Sequence, residues 1–106
     1  KRILFVTPPY MATNILIDRT MQAAENAGLE LSIEVMDDER AFATLERETF
    51  DMMLVNPLLR FFRNDPSKIA ALGATPMVIV GSKIYGSLDG EGMVKLILEG
   101  GENREQ

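Results

Sequence analysis

Residues 29–36 read Leu29-Glu30-Leu31-Ser32-Ile33-Glu34-Val35-Met36. Apolar and polar side chains alternate strictly. The pattern predicts a strand with Leu31, Ile33 and Val35 on a dry face and Glu30, Ser32 and Glu34 on a wet one. Such a strand belongs at the edge of a sheet. Three other stretches contrast with it. Arg2-Ile3-Leu4-Phe5-Val6, Met52-Met53-Leu54-Val55 and Met77-Val78-Ile79-Val80 are short runs dominated by apolar side chains. The last two are continuous, as expected of strands covered on both faces.

Helical signals separate these runs. After the breaker cluster Thr7-Pro8-Pro9-Tyr10, a helix starts with Thr13 or Asn14 as its expected N-cap. At ~100° per residue, Leu16, Ile17, Thr20, Met21, Ala23, Ala24 and Ala27 share one side, and Asp18, Arg19, Gln22, Glu25 and Asn26 the other. Gly28 ends it. Asp37 or Asp38 caps a second helix that carries Ala41, Phe42 and Leu45 inward. Asn56-Pro57 opens a third helical region, interrupted at Pro66 and closed by Leu72 and Gly73. Residues 82–90 read as a glycine-punctuated loop, and a last helix is expected over 92–98.

Strand and helix alternate four times. The fold class is therefore α/β: a single three-layer domain, with a four-stranded parallel open sheet and helices on both faces. With the alternating strand at an edge, the spatial order is 2-1-3-4. The strand order then reverses between strands one and three, and the crevice lies beyond their carboxyl ends. Residues 7–13 and 56–58 flank it, and residues 82–90 approach from the side.

A chain of 106 residues is one domain. Residues 1–100 are read as that domain and 101–106 as a polar tail. There is no cysteine and no histidine, so disulfides, thiol chemistry and the commonest general base are excluded. The net charge of −5 argues against nucleic acid as a partner. No apolar run reaches the ~18 residues of a membrane span, and none reads as a secretory signal, so a cytoplasmic location is expected. Neither a Gly-Lys-Ser/Thr phosphate loop nor a Gly-x-Gly-x-x-Gly fingerprint occurs.

Four segments carry a resemblance over almost the whole chain. They are the apolar first strand ending at Val6, Met11-Ala12-Thr13-Asn14 running into the first helix, Leu54-Val55-Asn56-Pro57, and Tyr85-Gly86-Ser87-Leu88-Asp89-Gly90. In order and spacing the chain resembles the IIB component of the lactose and cellobiose class of bacterial sugar phosphotransferase systems. That family takes a phosphoryl group from a IIA histidine and passes it to a sugar held by the membrane IIC component. The resemblance implies IIA-like and IIC-like partners; no cofactor, no metal and no membrane insertion of this chain are expected. A monomer is expected.

The chain departs from the family where the chemistry resides. The resemblance implies a phosphoacceptor cysteine just after strand one, and Thr7 takes that place. A threonine hydroxyl needs a base to act as a nucleophile, and the ester it formed would lack the transfer potential of a thiophosphate. Pro8 and Pro9 have no N–H, so two donors that would cradle phosphoryl oxygens are missing. Tyr10 puts a ring where a small residue would leave room. The crevice residues implied are Thr7, Pro8, Pro9, Tyr10, Met11, Ala12, Thr13, Asn14, Asn56, Pro57, Tyr85 and Asp89.

Each of these has a plainer role beside the functional one. Thr7 ends a strand, Pro8-Pro9-Tyr10 forms a turn or a rigid recognition surface, and Thr13 and Asn14 cap a helix. Asp89 serves a turn between Gly86 and Gly90. Arg60, Arg63 and Lys68 form solvated helix surface or a basic patch for an acidic partner. Three functions follow: a degenerate IIB-like module acting by partner docking, a working IIB phosphocarrier, and an unrelated α/β binding or regulatory module.

Overall fold

A computed structural model of the chain describes residues 1–8, 13–59, 73 and 75–99. Within them the order is β1 (Arg2–Val6), α1 (Asn14–Asn26), β2 (Ser32–Met36), α2 (Asp38–Leu45), β3 (Met52–Val55), β4 (Met77–Ile79), α3 (Ser82–Ser87) and α4 (Gly90–Glu99). The four strands form one sheet of order β2-β1-β3-β4, and every pairing is parallel. This is the expected topology. The hydrophobic pattern specifies it because β1 and β3 are buried along their apolar residues while β2 is not.

The pleat sends alternate residues to two cores. Ile3, Phe5, Met52, Leu54 and Val78 face Leu16 of α1 and Met93, Leu96 and Ile97 of α4. Leu4, Val6, Met53 and Val55 face the other way, onto Ala41, Phe50 and Leu59. Helices therefore cover both faces.

Local chemistry accounts for the helix ends. The Asp37 carboxylate accepts the Arg40 N–H at 2.9 Å and caps α2. Gly28, at φ +70°, closes α1, with Leu29 N–H donating to Ala24 O and Gly28 N–H to Glu25 O. That six-to-one and five-to-two pair needs a residue in the left-handed region, which glycine enters without penalty. Gly90 is required for a different reason: a Cβ there would overlap the backbone carbonyl of Arg19, so α1 and α4 could not approach.

Several expectations need correction. The second strand begins at Ser32 rather than Leu29, because Leu29 is used in closing α1 and the ladder to β1 starts with Ser32 N–H on Lys1 O. Its dry face is incomplete, since Val35 is 42% exposed at the sheet edge. Residues 82–90 are not a plain loop but contain α3, closed by Leu88 in the left-handed conformation. The last helix starts at Gly90 rather than Gly92, because Asp89 caps it by accepting the Gly92 N–H at 2.9 Å. Met21 and Ala27, read as inward-facing, are exposed. Pro57–Leu59 forms a single turn of 3₁₀ helix, and the rest of the expected third helical region lies outside the described residues.

Candidate functional site

β1 and β3 are neighbours whose last pair is Val6 and Val55, so the next residues of each strand, Thr7 and Asn56, emerge side by side. Backbone hydrogen bonds hold both. Thr7 N–H donates to Met36 O at 3.0 Å and Asn56 N–H to Val6 O at 2.8 Å. Their side chains then meet: Asn56 Nδ2 donates to Thr7 Oγ1 at 3.0 Å, across 49 residues of sequence. Both residues are buried, at 4% exposure for Thr7 and 1% for Asn56.

The orientation of the Asn56 amide follows from its other end. Leu58 N–H, which is only a donor, lies 2.9 Å from Asn56 Oδ1. The oxygen must face that N–H, which leaves the NH₂ for Thr7. Leu59 N–H donates to Asn56 O at 2.8 Å and completes the turn. This is an Asx-type turn, the usual role of an asparagine before a proline.

The pairing sets what Thr7 does chemically. Its oxygen receives a hydrogen bond from a neutral amide, which draws on the lone pairs a nucleophile would use. A carboxamide takes no proton at neutral pH, so it is not a general base. No carboxylate or amine among the described residues hydrogen-bonds this hydroxyl. Thr7 and Asn56 are a satisfied, neutral, buried pair.

The other expected site residues fall in different places. Pro8 is buried next to Thr7, and Pro57 is half-buried after Asn56. Thr13 stands at the N-cap position of α1 and is 6% exposed, but its side chain makes no capping bond. Its φ of −121° and ψ of 0° are not the extended geometry that aims a cap hydroxyl at the first turn. Asn14 is the exposed first residue of α1 rather than part of a loop. Tyr85 reaches over the sheet so that its ring centroid lies 6.4 Å from that of Phe5. Its hydroxyl oxygen is buried without a hydrogen-bond partner among the described residues. Asp89 caps α4 and lines an open groove of about 580 Å³ with Arg19, Gln22, Ala23 and Asn26 of α1. Pro9, Tyr10, Met11 and Ala12 lie outside the described residues, as do Arg60, Arg63 and Lys68.

Two exposed apolar side chains flank the site: Ile15, which the sequence reading did not single out, and Leu58, which it placed in the 56–58 loop without a role. Ile15, in the first turn of α1, and Leu58, in the 3₁₀ turn, are each 57% exposed. The available signal was Ile15 standing outside the apolar stripe of α1 and Leu58 following an Asn-Pro turn.

Solved structures share this architecture. A cellobiose-specific phosphotransferase IIB component protein from Borrelia burgdorferi matches with a TM-score of 0.73 and 26% identity, over 97% of this chain and 93% of that one. The fold is that of the lactose- and cellobiose-type IIB components. The lactose-specific IIB component domain of the phosphoenolpyruvate:carbohydrate phosphotransferase system from Streptococcus pneumoniae matches with a TM-score of 0.72, over 92% of this chain and 94% of that one. At 14% identity that second likeness is one of fold alone. No family model matches the chain, and no curated protein matches it.

Proposed function

We propose that this chain is a IIB-like domain of a lactose/cellobiose-type sugar phosphotransferase system that docks on partner components without relaying phosphate. The observation that carries the reading is the buried hydrogen bond from Asn56 to Thr7. Thr7 follows β1, where the resemblance implies the phosphocysteine. A thiol in an electropositive, partly open setting is a good acceptor. Here a hydroxyl is buried, bonded to an amide and followed by Pro8 and Pro9, which offer no N–H to a phosphoryl oxygen. The exposed Ile15 and Leu58 support docking, since they flank the carboxyl ends of β1 and β3 with apolar surface. The partners are IIA-like or membrane IIC-like components. No described helix is long and apolar enough to cross a membrane, which is compatible with a cytoplasmic domain serving a membrane partner.

Intact mass after incubation with a phosphorylated IIA protein of the cellobiose class, with peptide mapping, tests this. The expected result is no added phosphoryl group together with retained binding to the IIA protein. A phosphoryl group mapped to Thr7, or sugar phosphorylation with this chain as sole IIB source, would overturn it. Thr7→Cys locates the loss. An adduct on this variant alone would place it in the hydroxyl, whereas none on either form would place it also in the loop that follows.

A further inference from the structure

α3 is held in place by opposing forces. Ile84, Tyr85 and Leu88 pack against the core shared with α1 and α4, yet no residue of α3 itself is fully buried. Two features oppose this packing. The Tyr85 hydroxyl is the one buried side-chain polar atom without a partner among the described residues. Leu88, which closes α3, adopts φ 54° and ψ 48°, a conformation that costs an ordinary side chain energy. A hydroxyl removed from water and given no acceptor is penalised in full. The N-cap residue is Gly81, so no side chain anchors the first turn of α3.

The flanks, by contrast, are fixed. Val80 N–H donates to Val55 O at 2.9 Å, continuing the sheet up to Gly81. On the other side Asp89 caps α4, and Gly90 lies against the Arg19 carbonyl. Among the described residues, only the segment between these anchors combines shallow burial, an unpaired hydroxyl and a left-handed leucine.

We propose that α3 is a flap that unwinds between Gly81 and Leu88, and that its opening rehydrates the Tyr85 hydroxyl and uncovers Phe5. Because Val80 is bonded to Val55, next to Asn56, the flap opens on the carboxyl end of the sheet where Thr7 and Asn56 meet. An open flap presents a phenol donor and an apolar ring there. Elements of low local stability supply the motions of binding sites.

Native-state hydrogen exchange by NMR tests the flap. The amides of Tyr85, Leu88 and Asp89 donate to the carbonyls of Gly81, Tyr85 and Ile84, so an opening that unwinds α3 breaks all three bonds together. They are expected to share one opening constant, at least about a hundredfold larger than that of the Asn56 and Val80 amides in the sheet. Tyr85→Phe, which keeps the ring and removes the unpaired hydroxyl, is expected to lower that constant about tenfold. Exchange at the three amides as slow as at Asn56 and Val80 would overturn the proposal. So would a Tyr85→Phe variant whose α3 exchange is unchanged or faster.

Discussion

The two ends of the same three strands are built from opposite chemistry. At the amino end, Arg2 is the hub. Its guanidinium bonds Glu34 and Glu48 at 2.8 Å each and the Thr49 carbonyl at 3.1 Å, and lies 4.3 Å from the centroid of the Phe50 ring. Its backbone N–H reaches the Asp51 carboxylate at 2.7 Å, and the amino terminus donates to Glu30 O. Hydrogen bonds to Glu48 and then Glu34 push the guanidinium pKa further up. At the carboxyl end the contacts are neutral and buried: Asn56 on Thr7, Tyr85 on Phe5. The charged end is solvated, so its ion pairs compete with water and salt. The neutral end is dry, so each polar group there must find a partner or remain unpaired. In an open parallel sheet the carboxyl end is where ligands and partners bind. Among the described residues that end holds a satisfied pair, exposed apolar neighbours and an unpaired hydroxyl, while the amino end holds a clasp.

Three substitutions measure this difference. The largest effect is expected from Asn56→Ala, which removes the bonds to Thr7 and Leu58 N–H and leaves a small cavity. Urea denaturation should show a loss of about 3 kcal/mol, nearly independent of salt. A loss smaller than that at Arg2 would reverse the comparison. Thr7→Val keeps the shape and deletes the acceptor, stranding one Asn56 N–H. A loss of about 1.5 kcal/mol is expected; no loss would mean that the amide is satisfied without Thr7. Arg2→Met should have the smallest effect. Its cost should be measurable at low salt and should shrink toward zero at ~1 M salt, where screening acts over a few ångströms. A cost unchanged by salt would show that stacking on Phe50, rather than the ion pairs, holds that end.

Much of the fold was readable along the chain. The contrast between the alternating Leu29–Met36 stretch and the apolar runs at 52–55 and 77–80 is a local property, and it carries the strand order because only an edge strand tolerates a wet face. Asp37 and Gly28 are likewise local, since a cap needs only its own turn. The site was readable in part. Thr7 and Asn56 both stand out from their places after apolar strands, but separately; Leu58 stands out only as the end of the 56–58 loop, and Ile15 not at all. Thr13 shows the limit from the other side. Its residue type suits a cap, and its backbone angles withhold the bond.

Residue types and their periodicity thus settled the α/β class, the parallel order, and the absence of thiol and imidazole chemistry, because these depend on composition and on neighbours within a few positions. The partners of Thr7, Tyr85 and Arg2 lie 32 to 80 residues away along the chain or arrive from several elements at once. Whether a hydroxyl is paired, and whether a helix end is capped or strained, followed from strand register and from how α3 and α4 pack on the sheet. Those relations exist only once distant segments share one core, since hydrogen bonding and burial are properties of neighbours in space.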